Sequence, residues 1–154
     1  DLEAAFEKKA EQFKEVVKVG RTCWQDALPL TLGQEFSGYA SVVNRLIKKL
    51  ERVRPDCLEI VMGGSAVGTG LSGAPGYKEA FYKFISEDLG ETVTPMDNLF
   101  DGFQNGDTVV TVSGIVKEVA CTLSKFAKDL RLMSSGPRAG WMELELPALS
   151  PGGH

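Results

Sequence analysis

The densest set of chemically capable side chains lies in Gly20–Ala27, which reads Gly-Arg-Thr-Cys-Trp-Gln-Asp-Ala. Arg21, Thr22, Gln25 and Asp26 place a guanidinium, a hydroxyl, a carboxamide and a carboxylate beside Trp24. Such a set can hydrogen-bond to itself and hold a polar ligand at a helix end. The alternative is a polar loop that caps two helices, since loops carry both punctuation and function. A second candidate stretch is glycine-rich, with glycines at 63, 64, 68, 70, 73 and 76 interspersed with Ser65, Thr69 and Ser72. No regular element tolerates that density, and such a loop could turn backbone N–H groups toward an anion. It lacks the Gly-Lys-Ser/Thr ending of a P-loop, and no strand pattern precedes it as a dinucleotide loop would require. The plain reading is a connection between helices.

The first block resembles the Gly-Arg-Thr-His-x-Gln-Asp-Ala segment of the fumarase/aspartase superfamily. Two more blocks follow in that family's order. Gly63-Gly64-Ser65-Ala66-Val67-Gly68-Thr69-Gly70-Leu71 looks like its Gly-Gly-Thr-Ala-Val-Gly-Thr-Gly-Leu. Asp129 to Gly140 looks like its Asp-Leu-Arg-Leu-(Leu/Met)-Ser-Ser-Gly-Pro-Arg-Ala-Gly. The resemblance extends over nearly the whole chain.

The resemblance implies reversible elimination of ammonia or water from a succinate-type substrate to give fumarate. That chemistry takes a proton from the carbon beside a carboxylate and stabilises an aci-carboxylate with fixed donors. It implies no cofactor and no metal, a small dicarboxylate substrate, and a homotetramer that shares active sites between subunits. By resemblance the substrate-binding positions are Thr22, Cys23, Gln25, Ser65 and Thr69. Thr22 would bind a carboxylate, while Gln25 and Asp26 would mainly brace the loop. Cys23 departs from the pattern, because many members carry His there and some ammonia-lyases Gln. A thiol is shorter than imidazole and a weaker donor. No catalytic base is expected in this chain: the Gly-Ser-Ser-x-Met-Pro-x-Lys-x-Asn loop that carries the family's serine would begin at Pro151-Gly152, where the sequence reads on to Gly153-His154. Residues 1–154 are thus expected to be the central helical domain of a lyase, without the N-terminal domain and signature loop, and inactive alone. Pro29 to Tyr39 and Gly63-Gly64 look like fumarase. Gln104-Asn105-x-Asp107 and Leu130 to Ala139 look more like aspartase, so the ammonia-lyase branch is favoured and class II fumarase is the alternative. A non-catalytic helical oligomerisation module is the alternative from a different class.

Bulk properties restrict the remaining classes. The 154 residues fit one domain with a sizeable core. A net charge of −4 and a pI near 5.1 argue against a nucleic-acid groove. No apolar run approaches the ~18 residues of a membrane span, and the chain opens directly in an amphipathic pattern rather than a signal peptide. Cys23, Cys57 and Cys121 show no metal-ligand spacing, and His154 is the only histidine. Three unpaired thiols suggest a reducing compartment, the cytoplasm or the mitochondrial matrix.

The elements that must position these residues are helical, and the expected fold is an all-α bundle of long helices. Apolar residues from Leu2 to Val17 recur at three- and four-residue steps, predicting a helix over 1–18 that Gly20 ends. Thr31 and Gln34 have capping-box spacing, so a second helix starts near Leu32. Its pattern runs to Met62 through Pro55, read as a kink, giving a rod of about 46 Å. A third helix spans 75–89 and stops at Gly90, a short one covers 98–103, and the last runs from Asp107 to about Ser134. The last helix is apolar almost all round, from Val109 to Met133, and is expected to be buried on every side. One copy offers too few helices to cover it, so the bundle would be completed by other subunits. Arg131 and Arg138 are expected in ion pairs near its end. Trp141–Leu146 alternates as a short strand or extended arm.

Overall fold

The computed structural model of the chain describes residues 1–148; the sequence reading of Pro151 to His154 falls outside them. Two compact units divide the chain, residues 1–43 with the chain from 116 onward, and residues 44–115. The fold is α-helical with a few short strands. Helices α1 (Leu2–Gln12), α2 (Leu32–Val53), α3 (Tyr77–Leu89), α4 (Leu99–Gln104) and α5 (Asp107–Met133) alternate with strands β1 (Val17–Thr22), β2 (Gln25–Thr31), β3 (Glu59–Ile60) and β4 (Thr94–Pro95).

In the first unit the expected helix over 1–18 stops at Gln12, and residues from Val17 form an antiparallel hairpin, β1 on β2. Val17 and Val19 are β-branched and fit a pleated ladder better than a helix, and pairing with Thr31 and Pro29 gives that preference a partner. The segment read as a polar loop is therefore the end of a hairpin. β2 passes directly into α2 through the expected capping box: Thr31 Oγ1 accepts from the Gln34 N–H at 3.2 Å, and Gln34 Oε1 accepts from the Thr31 N–H at 2.9 Å. Gly33 permits the end of α1 to lie against the start of α2, since a Cβ there would fall 2.4 Å from the Ala10 carbonyl oxygen.

The core of this unit is aromatic. Phe6, Leu32, Phe36, Tyr39, Ala40, Val43, Phe126 and Met133 are buried together. The Phe6 ring centroid lies 5.4 Å from Phe126 and 5.5 Å from Tyr39, and Tyr39 lies 4.5 Å from Phe126, separations at which edge and tilted ring contacts are favourable. The Tyr39 hydroxyl donates to Asp129 Oδ2 at 3.0 Å. Burial and the neighbouring Asp129 charge raise its pKa well above the ordinary phenol value. After α5, residues 141–148 form no strand ladder. They fold back on the helix end, with the Glu143 N–H donating to the Met133 carbonyl at 2.8 Å and Trp141 and Leu144 packed on the core.

In the second unit α2 does not kink at Pro55 but ends at Val53. Proline has no N–H for the helical ladder and disfavours a helical residue before it. A 3-10 turn over Pro55–Leu58 follows, so the apolar residues beyond Pro55 serve that turn and β3, which pairs in parallel with β4. α3 ends at Gly90, whose φ of +65° is the expected left-handed cap. The Tyr82 hydroxyl lies 2.8 Å from the Ile60 carbonyl oxygen and 3.0 Å from that of Met62. Burial raises its pKa, against the effect of the Met62 carbonyl contact. Asn98 caps α4 by accepting from the Phe100 and Asp101 N–H groups.

α5 departs most from expectation. Within one chain only Phe126 and Met133 of this helix are buried. Val109, Val110, Val116 and Leu123 are exposed, the first two by more than 70%.

Candidate functional site

The hairpin brings three of the expected site residues together. Thr22 and Gln25 pair across its end, and Cys23 and Trp24 form the two-residue turn. Both turn residues have positive φ, +50° and +65°, the geometry that matches the right-handed twist of a hairpin. Asn, Gly and Asp usually fill such positions because other side chains crowd there. The histidine found here in the resembled family also belongs to the residue types enriched in that conformation; a cysteine does not. Thr22, Cys23 and Gln25 are exposed.

Below the tip the ladder is irregular. Val19 pairs with Pro29 and Arg21 with Asp26, so Gly20 faces both Ala27 and Leu28. A Cβ on Gly20 would lie 2.6 Å from the Leu28 carbonyl oxygen. This β-bulge sharpens the local twist and re-aims neighbouring side chains.

A compact ion web stands at this point. Lys18 Nζ lies 2.7 Å from Glu35 Oε2 and 2.6 Å from Glu143 Oε2. Arg21 Nη1 donates to Glu143 Oε1 at 2.6 Å, its Nε lies 3.5 Å from Asp26 Oδ1, and its guanidinium carbon stands 4.0 Å from the Trp141 ring centroid. Trp141 in turn meets Trp24 edge to face at 6.4 Å. Burial opposes ionisation of Glu143, but the Lys18 ion pair, the Arg21 hydrogen bond and the two charges outweigh it and hold the carboxyl below its usual range. The same Glu143 contact raises the Arg21 pKa. Asp26 adds only an exposed, longer contact to Arg21. Lys18, Glu35, Glu143 and Trp141 were not singled out as site residues. For Trp141 and Glu143 the signal is the alternation over 141–146, which places both on one side.

A cavity of about 790 Å³ opens beside this web, lined among others by Arg21, Cys23, Trp24, Tyr39 and Cys121. It is amphipathic, with Lys18, Lys125 and Asp129 set among aromatic and aliphatic walls.

Ser65 and Thr69 belong to the second unit, on the glycine-rich loop. Both are exposed, and Ser65 has a φ of +54°. The Gly68 and Gly70 N–H groups both donate to the Gly64 carbonyl, at 2.9 and 3.0 Å, so these two close the loop on itself rather than facing an anion. Thr69 Oγ1 accepts from the Leu71 N–H at 3.4 Å. Among the described residues neither Arg131 nor Arg138 joins an ion pair, and no group of three or more His, Cys, Asp or Glu could hold a metal ion. The expected pairing of the two arginines is therefore not found; Lys125 pairs with Asp129 instead, one turn earlier on α5.

Comparison with known proteins gives a consistent result. The Lyase family matches residues 1–153. The aspartate ammonia-lyase of Bacillus subtilis is 44% identical over 152 residues, which is 99% of this chain and 32% of that enzyme. A class II fumarate hydratase of Rhizobium meliloti is 43% identical over 98% of this chain and 33% of its own length. The crystal structure of a fumarate lyase:delta crystallin from Brucella melitensis superposes with a TM-score of 0.92 at 42% identity, covering 98% of this chain and 33% of the other. The chain spans about a third of the length of the relatives it matches, and over that span it belongs to the Lyase family of aspartate ammonia-lyases and class II fumarases.

Proposed function

We propose that this chain is the central helical part of a lyase that eliminates ammonia from L-aspartate to give fumarate through an aci-carboxylate intermediate. The observation that carries this reading is the hairpin tip: Thr22, Cys23 and Gln25 stand exposed together at and beside the two-residue turn of Cys23 and Trp24, both of positive φ. Strain of that kind persists where the surroundings over-determine a conformation, a habit of ligand clamps. The Thr22 hydroxyl would donate to one substrate carboxylate. Cys23 would fill the histidine position with a weaker donor. On the glycine-rich loop, Ser65 and Thr69 would be substrate-binding positions. The serine base would belong to a signature loop not found in residues 1–154, so the chain alone would be inactive. The reaction needs no cofactor, since the base and fixed donors suffice.

A second substrate reading has nearly equal support: the Rhizobium meliloti fumarate hydratase is only one percentage point less identical than the Bacillus subtilis enzyme. In that case the leaving group is water and the substrate L-malate. The exposed valines of α5 support a homotetramer in which other copies cover this helix; the same feature would serve a purely structural oligomerisation module. A cytoplasmic setting, or a mitochondrial matrix, fits three free thiols.

The test is a chimera in which residues 1–153 replace the matching segment of the Bacillus subtilis aspartate ammonia-lyase. Fumarate release is then followed by ultraviolet absorbance with aspartate or malate. Turnover of aspartate supports the proposal, and turnover of malate alone favours the hydratase. A folded chimera inactive on both would sink the enzymatic reading. Light scattering on the chain reads the oligomeric state, and a well-folded monomer would refute the tetramer.

A further inference from the structure

We propose that Glu143 is the positioning residue of the hairpin: its carboxylate bridges Lys18 and Arg21 across the face of Trp141 and so fixes the Thr22–Cys23 tip. The substrate side of this inference rests on the lyase reading above; the hairpin side stands on geometry alone.

In a regular strand, side chains three residues apart point to opposite faces. Lys18 and Arg21 nevertheless converge on the two oxygens of one carboxylate, at 2.6 Å each. The ladder irregularity between Val19 and Arg21 lies between them, where a bulge adds twist and turns side chains. The extra residue is on β2 and the two cations are on β1, so the convergence is held by the carboxylate that receives both. Glu35 cannot take this part, because within the web it reaches only Lys18. Asp26 cannot either, since its side chain is 80% exposed and 3.5 Å from Arg21. The backbone of Glu143 is itself anchored, by its N–H to the Met133 carbonyl at the end of α5. The load it carries is the turn immediately beyond Arg21, where Cys23 and Trp24 both occupy the left-handed region. Without the bridge the turn keeps its ladder pairing and the edge contact between Trp24 and Trp141, but Arg21 loses its shortest anchor. Glu143 need not touch substrate in this scheme; it acts through Arg21, the neighbour of Thr22.

Amide hydrogen exchange on the chain carrying Glu143→Gln tests the hairpin side. Losing charge-assisted hydrogen bonds should speed exchange in the β1–β2 ladder by about ten- to a hundred-fold, with α2 amides unchanged. Ladder exchange within about twofold of wild type overturns the proposal, as does an equal acceleration in α2, which would mean a general loss of stability. If Glu143→Gln does not fold, Glu143→Asp decides. It keeps the charge but withdraws it by one methylene, so the ladder should exchange several-fold faster relative to α2; an unchanged ratio overturns the proposal. In the chimera, Glu143→Gln should raise KM for the substrate about tenfold with kcat held within about twofold, the pattern of lost clamping in ground and transition states alike. A fall in kcat at constant KM overturns the positioning role. If the parent chimera is inactive, the lyase reading fails and the exchange measurement alone decides on Glu143.

Discussion

Replacing Lys18 with methionine should destabilise the first unit by about 2–3 kcal/mol. The lysine side chain is 9% exposed and faces Glu35 and Glu143, themselves 27% and 15% exposed. Methionine keeps most of the volume and the aliphatic stem but removes the cation that both partly buried carboxylates, Glu35 and Glu143, face. Removing one partner of a fully buried pair costs about 3–5 kcal/mol, because the other charge is left uncompensated. Residual solvent contact of the two glutamates, and Arg21 still bound to Glu143, reduce that to about 2–3 kcal/mol. For a protein of this size the melting temperature should fall by about 5–10 °C. Urea unfolding followed by tryptophan fluorescence is the suitable assay, since Trp24 and Trp141 are the chain's two tryptophans and both lie in the first unit. The midpoint should drop at unchanged m-value. Lys14→Met is the control: Lys14 pairs with Glu11 in full view of solvent, and its loss should cost less than about 0.5 kcal/mol. If Lys18→Met costs no more than the control, the web is not holding the hairpin.

Three further outcomes are expected. Because the folded pKa of Glu143 is depressed, its contribution to stability is complete above the unfolded carboxylate pKa of about 4.3 and is lost as pH falls through the folded value. Stability of Glu143→Gln should therefore fall less steeply than wild type below about pH 4.3, and parallel slopes would contradict the assignment. Cys23→Asn places a residue that tolerates positive φ in the turn and should stabilise the chain by about 0.5–1 kcal/mol by thermal melting; a loss of stability would count against strain at that position. Thr31→Ala removes one half of the capping box and should cost about 1 kcal/mol in urea titration, with Thr31→Ser close to neutral; equal losses in both would point to packing instead.

Local signals in the sequence located most helix ends. Thr31 with Gln34, Gly90, and the uncapped apolar run from Asp107 to Met133 each act over a few residues of one segment, and each appears where it was read. The hairpin was not legible, because its ladder joins Val17 to Thr31 through a turn without Gly or Asn; the apolar spacing up to Val17 also fits a helical period. The helix end before Pro55 is not legible either, because apolar residues on both sides look alike whether a helix continues or a turn and strand take over. The tip residues Thr22, Cys23 and Gln25 could be named from their types. The web beneath them could not, since Lys18, Arg21, Glu35 and Glu143 meet only after a separation of more than a hundred residues is closed.

The two-against-one step at Gly20 sets the direction of the tip rather than its pairing. Deleting Ala27 or Leu28 would restore one-to-one pairing between the strands, and both flanking registers would survive it, with Thr22 still opposite Gln25 and Lys18 still opposite Leu30. What would be lost is the extra twist and bend that the unpaired residue adds to β2. The same pairs would then carry the tip off at another angle, so a hairpin shortened by one residue here would keep its ladder and misdirect Thr22.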